Sequence, residues 1–180
     1  MREIEVKAWI RDREAIMNAL TTIGCTFGDP VIQNDVIFQK KNRVEDSPVA
    51  RVRLTNDGTI LFTVKKRGVN ELASQEHEVT VSSAKELEKM LILLDQEEVV
   101  RINKKRISAH HDSYEICIDD VESLGSFIEI EAMISDDDVA KAQETQNTLF
   151  EFLLSLGISP EDRVTVGYNS LLLEKKERGE

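Results

Sequence analysis

Charge and hydrocarbon alternate along this sequence with a period of two, in one short segment after another. Successive side chains of a strand point to opposite faces, so such alternation predicts β-strands with one apolar and one charged face. In the first segment Glu3, Glu5 and Lys7 share one face, and Ile4 and Val6 share the other. Arg51 and Arg53 oppose Val52 and Leu54, and Lys65 opposes Phe62 and Val64. Glu76 and Glu78 oppose His77, Val79 and Val81, while Lys104 and Arg106 lie together on one face. Asp119 opposes Ile116 and Ile118, and Glu129 and Glu131 oppose Ile128, Ile130 and Ala132.

Nine segments read as strands: Arg2 to Trp9, Ile32 to Phe38, Val49 to Leu54, Ile60 to Lys65, Gln75 to Val81, Val99 to Arg106, Ser108 to His110, Tyr114 to Asp119 and Phe127 to Ala132. Asn56-Asp57-Gly58 is a hairpin signal between the third and fourth. Asp12 is placed to cap a helix running to Ile23, with Ile16, Leu20 and Ile23 inward and Gly24 as its stop. Ser82 or Ser83 caps a second helix, through Leu94, with Leu87, Met90, Leu91 and Leu94 on one face. Ser135, followed by acidic residues that suit a first turn, opens a long helix to Leu156. Lys40 to Ser47 reads as a polar loop, and Val164 to Leu173 as a short strand or helix.

Strands that follow one another without crossover helices are antiparallel, so the class is α+β. Two arrangements satisfy the alternation. One is a half-solvated sheet with its charges in water. The other is a closed antiparallel barrel whose apolar outer face meets amphipathic helices and whose charged face lines a wet interior. The second is favoured by the grouping of like charges into acid pairs on some strands and basic pairs on others.

The 180 residues suit one domain, with 41% hydrophobic and 32% charged residues, so a packed core is expected. The formal net charge of −11 argues against a nucleic-acid surface but not against a small anionic substrate, because local field governs a cleft. Neither an apolar run of membrane length nor an apolar leader core is present, so a cytoplasmic protein without membrane contact is expected. The two cysteines, Cys25 and Cys117, read as reduced and buried. The pair His110-His111 reads as a surface feature, with at least one ring in solvent, rather than a metal site.

Two glutamates at i and i+2 hold their carboxylates roughly 7 Å apart on one face. Several such pairs form an all-oxygen site, which suits Mg2+ or Mn2+ and not zinc. Arg51 and Arg53 supply two-donor contacts to phosphate oxygens, with Lys7, Lys65 and Lys104 as point charges. Phosphoryl chemistry needs positioning and charge stabilisation more than a nucleophilic side chain. The sequence holds no glycine-rich phosphate loop of the Walker type.

Glu3-Ile4-Glu5-Val6-Lys7 resembles the Glu-x-Glu-x-Lys signature of the CYTH, or triphosphate tunnel metalloenzyme, superfamily. Further matches follow in the family's order: Arg51-x-Arg53, Lys65, Glu76-x-Glu78, Lys104-x-Arg106, Asp119 and Gly125-Ser126-Phe127-Ile128-Glu129-Ile130-Glu131. The resemblance implies one domain over residues 1–180, a closed eight-stranded antiparallel barrel and helices outside it. It implies Glu3, Glu5, Glu129 and Glu131 as metal ligands, with Glu76, Glu78 and Asp119 as further acids. It implies Lys7, Arg51, Arg53, Lys65, Lys104 and Arg106 as the triphosphate clamp, with Glu76 and Glu78 beside it. It also implies catalytic roles for Glu3, Glu5, Lys7, Lys104, Arg106 and Asp119. Lys66 and Lys105 have the wrong parity.

Within the superfamily the chain is most similar to class IV adenylyl cyclases of the CyaB type. That likeness rests on Asp119-Asp120-Val121-Glu122-Ser123-Leu124-Gly125 and on Tyr168-Asn169-Ser170-Leu171-Leu172. It departs from them at strand two, where many relatives carry an aromatic residue after the acid and this chain reads Asn34-Asp35-Val36-Ile37-Phe38. The activity implied is conversion of ATP to cyclic AMP and pyrophosphate with Mg2+ or Mn2+. The alternatives are hydrolysis of inorganic, thiamine or nucleoside triphosphate by the same residues, or a non-catalytic module that binds polyphosphate or nucleotide. A small-molecule triphosphate is the expected partner, and family likeness alone leaves room for a homodimer.

Overall fold

The structure, a computed structural model, describes residues 2–42, 47–67, 74–135 and 139–179. The elements in chain order are β1 (Arg2–Trp9), α1 (Arg13–Thr22), β2 (Val31–Lys40), β3 (Val49–Thr55), β4 (Ile60–Arg67), β5 (Ser74–Thr80), α2 (Ala84–Leu93), β6 (Gln96–His111), β7 (Tyr114–Val121), β8 (Gly125–Ile134), α3 (Val139–Ser155), β9 (Arg163–Val164) and α4 (Tyr168–Glu177). The class is α+β, with antiparallel sheet and four helices among the described residues. The chain divides into two compact units: Met1–Pro30 with Lys105–Val166, and Val31–Lys104 with Gly167–Glu180.

In the first unit β8 lies between β1 and β7. Val6 stands opposite Ile130 and Ile130 opposite Ile116, while Ala8 stands opposite Ile128 and Ile128 opposite Ile118. All these residues are at most 3% exposed. They bury one face completely, and α3 packs against β1 and β8. The buried residues of α3 are Ala142, Gln146, Leu149 and Leu153, spaced by four, three and four, as one helical face requires. Each fully buried Ile or Leu contributes about 1.5–3 kcal/mol of transfer free energy, so this face carries much of the unit's stability. Trp9 packs on Phe127 with ring centroids 4.0 Å apart and ring planes tilted by 35°. Asp12 caps α1 by accepting from the Ala15 N–H at 3.0 Å, as its sequence position predicts. Gly24 follows that helix at φ +92°, where a side chain would be strained.

In the second unit the strand order is β5-β4-β3-β2, continuing to β6. Val36, Phe38, Ala50, Val52 and Leu91 form its core, with Ile60, Phe62, Val64, Ala84 and Leu87 packed around them. The buried face of α2 differs from the one its sequence predicts. Leu91 is buried and Leu87 half-buried, but Met90 is 57% and Leu94 68% exposed. The inward line is Ala84, Leu87 and Leu91, and Leu94 is the C-cap beyond the last helical residue. Ser83 is the N-cap, accepting from the Glu86 N–H at 3.3 Å. The hairpin at Asn56-Asp57-Gly58 forms as expected, with Gly58 at φ +87° and its N–H donating to the Thr55 carbonyl.

Val99 to Arg106 and Ser108 to His110, expected as two strands, are one 16-residue strand, β6. Neither Gly nor Pro interrupts the sequence from Gln96 to His111, and the chain turns only at Asp112, which takes φ +52°. The segment from Val164 to Leu173 contains both candidates, the end of β9 and then α4 after Gly167. The long helix is described from Val139 to Ser155, and the acidic first turn expected at 136–138 lies outside the described residues. Of the expected loop from Lys40 to Ser47, Lys40 ends β2, residues 41–42 form a turn and 43–46 lie outside the described residues. Among the described residues no helix is long and apolar enough to cross a membrane.

Candidate active site

The charged faces hold two clusters, one in each unit. In the first unit, register sets Glu5 opposite Glu131 and Glu131 opposite Glu115; one step along, Lys7 faces Glu129 and Glu129 faces Cys117. Lys7 is 8% exposed, and its Nζ lies 2.8 Å from Glu5 Oε1 and 2.9 Å from Glu129 Oε1. Burial works against its charge, but Glu129 and Glu5 outweigh that and hold the ammonium well above its ordinary pKa. Arg106 is bidentate to Asp119, with Nε to Oδ1 at 2.7 Å and Nη2 to Oδ2 at 2.6 Å. Its Nη2 also donates to Glu129 Oε2, and Nη1 lies 3.8 Å from Glu131 Oε1. Asp119 is fully buried and Glu129 is 5% exposed, so these are desolvated ionic contacts.

Glu131 differs from the other acids in its balance of surroundings. Burial, then the charges of Glu129, Glu3 and Glu5, push its carboxyl up to about 8, against a smaller opposing pull from Arg106. The first cluster thus contains two cations, Lys7 and Arg106, among six acids: Glu3, Glu5, Glu115, Asp119, Glu129 and Glu131. Among the described residues no three Asp, Glu, His or Cys side chains are gathered closely enough to hold an ion as they stand. Lys7 and Arg106 take carboxylate oxygens of Glu5, Glu129 and Asp119. The donor chemistry still fits a hard divalent cation, because each candidate ligand is a carboxylate and Arg106 offsets their mutual repulsion at Glu131 only in part.

In the second unit Asp35 stands opposite Arg53, and Arg51 stands opposite Thr63, which in turn faces Glu78; Lys65 faces Glu76. Arg53 Nε and Nη2 meet Asp35 Oδ1 and Oδ2 at 2.7 and 2.8 Å, with both residues buried. Burial alone would raise the Asp35 pKa, but Arg53, with Arg51 and Lys104 behind it, holds the carboxyl below its ordinary value. Arg51 Nη2 donates to Thr63 Oγ1 at 3.0 Å and Glu78 Oε2 at 3.2 Å, and lies 3.5 Å from Glu76 Oε1. The Thr63 hydroxyl donates to Glu78 at 2.7 Å, and Lys65 Nζ is 3.3 Å from Glu76 Oε2. Arg51 Nε is buried and has no hydrogen-bond partner. Lys104 is 6% exposed, and its Nζ lies 5.1 Å from the centroid of the Tyr168 ring. Four cations here face three carboxylates.

The sequence-predicted residues therefore fall into two groups. Glu3, Glu5, Lys7, Arg106, Asp119, Glu129 and Glu131 belong to the first unit, and Arg51, Arg53, Lys65, Glu76, Glu78 and Lys104 to the second. Lys66 and Lys105 are exposed, as their parity predicts. Asp35, Thr63 and Tyr168 were not singled out as site residues from sequence. Asp35 had a usable signal, since Gln33, Asp35, Ile37 and Gln39 share one parity on β2 against Val36 and Phe38. Thr63 is an ordinary strand residue whose role appears only with register. Both cysteines are buried free thiols, and burial pushes Cys117 up to about 12. His110 is exposed and His111 stacks on Phe152 at 5.4 Å, so this pair is surface packing.

A CYTH domain family model matches residues 1–168. A protein of Methanocaldococcus jannaschii named as a candidate adenylate cyclase is 29% identical over 175 residues, covering 95% of this chain and 98% of that protein. The PH1819 protein of Pyrococcus horikoshii has a similar fold, with TM-score 0.82, 24% identity and coverage of 96% and 99%. A Hippeastrum protein, described as a candidate adenylyl cyclase with a dominant triphosphatase activity, has TM-score 0.66, 15% identity and coverage of 98% and 96%.

Proposed function

The chain is a member of the CYTH domain family, and from that premise we propose that it is a metal-dependent enzyme acting on triphosphates, an adenylyl cyclase that converts ATP to cyclic AMP and pyrophosphate. The observation that carries the reading is the segregation of charge: an acid-rich cluster suited to a divalent cation and a cation-rich cluster suited to phosphate. The name of the Methanocaldococcus relative supports the cyclase form. Closure of the strands into an eight-stranded barrel with helices outside, and one domain over residues 1–180, are parts of the proposal. Their support is the one-sided charge within each unit and a family match that runs from residue 1 to residue 168. A cytoplasmic location is also part of it, as is a homodimer, the latter on family likeness alone.

Glu3, Glu5, Glu129 and Glu131 would hold Mg2+ or Mn2+, which supplies charge neutralisation at phosphate and acidification of the attacking hydroxyl. Lys7 and Arg106 orient the acids Glu5, Glu129 and Asp119. Arg51 offers its buried Nε–H to a phosphate oxygen, and Arg53, Lys65 and Lys104 surround the same anion with positive charge. Glu76, Glu78 and Asp35 fix the directions of Lys65, Arg51 and Arg53, so the clamp needs little reorganisation when the phosphate charge shifts.

A triphosphatase is the second reading, favoured by the fold shared with the Hippeastrum protein. The two share residues and differ in nucleophile: the ribose 3′-hydroxyl attacking the α-phosphorus, or water attacking the terminal phosphorus. Incubation with ATP and with tripolyphosphate, each with Mg2+ or Mn2+, separates them by product. Cyclic AMP with pyrophosphate supports the cyclase and orthophosphate the hydrolase. Glu5→Gln abolishes metal-dependent turnover in either case. Absence of both turnover and binding would overturn the proposal.

A further inference from the structure

We propose that Tyr168 is a positioning residue for Lys104, its ring face holding the ammonium in place within the cation-rich cluster to meet a phosphate oxygen. The proposal rests on the reading of Lys104 as a phosphate contact. Lys104 is buried on β6, its Nζ lies 5.1 Å from the ring centroid, and Tyr168 is itself only 7% exposed. A free lysine head samples many rotamers, and ordering it at the moment of binding would cost affinity. The ring orders it beforehand. A ring face attracts a cation through its quadrupole and carries no net charge, so this contact itself does not neutralise the ammonium.

Local sequence fixes where the ring sits. Tyr168 is the first residue of α4, and Gly167 is the N-cap. A Cβ on residue 167 would come within 2.4 Å of Asn169 Oδ1, so a larger residue there would have to displace that side chain. Lys104 charge also helps to hold Asp35 ionised, which ties the ammonium to the Asp35–Arg53 pair in the same unit.

The test uses the full chain, inorganic tripolyphosphate as probe, and two independent readouts. By calorimetry, Tyr168→Leu weakens tripolyphosphate binding roughly tenfold, the size of one desolvated cation–ring contact. Tyr168→Phe keeps the ring and stays within about twofold of the parent. In a Lys104→Met background, Tyr168→Leu causes no further loss. By NMR, the Lys104 side-chain methylene signals are shifted upfield by the ring in the parent and in Tyr168→Phe, and return to ordinary lysine positions in Tyr168→Leu. Equal losses from Tyr168→Leu with and without Lys104 would overturn the proposal, as would unshifted Lys104 signals in the parent. If the parent binds no tripolyphosphate while the upfield shift persists, the triphosphate reading fails and the hold of Tyr168 on Lys104 stands.

Discussion

Asp35→Ala should be among the most damaging single substitutions in the second unit. The carboxylate is 3% exposed and meets Arg53, 8% exposed, through two hydrogen bonds of 2.7 and 2.8 Å. Removing it takes the bidentate carboxylate from a guanidinium that stays out of water. Loss of one member of such a buried pair costs about 3–5 kcal/mol. For a chain of this length that lowers Tm by roughly 6–20 °C. The measurement is urea unfolding at pH 7 followed by far-UV circular dichroism. The pH dependence has a definite sign. Asp35 titrates below its ordinary 3.8 when folded, so its contribution is present above that value and is lost as pH falls through the folded one. The gap between parent and variant should therefore narrow in strong acid. Tripolyphosphate should restore part of the loss at pH 7, because a bound anion replaces the missing charge. A cost under about 1 kcal/mol would place Arg53 in water after all and refute the reasoning.

The Glu131 carboxyl, raised to about 8, favours folding fully only below the unfolded value near 4.5, and that contribution fades as pH rises through 8. Glu131→Gln should flatten this part of the stability–pH profile and stabilise the apoprotein at pH 9 by on the order of 2 kcal/mol, read by thermal melts. Arg51→Ala should weaken tripolyphosphate binding by roughly 10- to 100-fold, as expected for a charged hydrogen-bond donor, and calorimetry would read it. Leu91→Ala should cost about 2–4 kcal/mol. Leu93→Ala, at a residue 83% exposed, should cost under about 0.5 kcal/mol, and urea melts would compare the two.

The one-sided charge of the strands was legible in the sequence because strand geometry is insensitive to context: Ile4, Val6 and Ala8 alternate with Glu3, Glu5 and Lys7 wherever β1 is placed. Cross-strand register was not legible, and register decides which acid meets which base. Lys7 falls opposite Glu129 and Arg53 opposite Asp35 only once β1 pairs with β8 and β2 with β3. The clamp residues were accordingly expected as ligand contacts, whereas Lys7, Arg53 and Arg106 also pair with buried carboxylates. The α2 error has a similar origin. Its run Met90-Leu91-Ile92-Leu93-Leu94 is apolar on every side, so composition could not say which side the sheet would cover.

The distribution of Cys25, Cys117 and Trp9 has a practical consequence. Both thiols and the single indole lie in the first unit, and the thiols are shielded. Alkylation kinetics and tryptophan emission are therefore blind to events confined to the other half of the chain. Of the two tyrosines, Tyr114 belongs with the indole and Tyr168 with the other unit. A chain with Trp9 replaced by Phe would leave phenol emission as an optical signal, with Tyr168 speaking for that second half. Opening of one half could then be timed against the other without attaching any label.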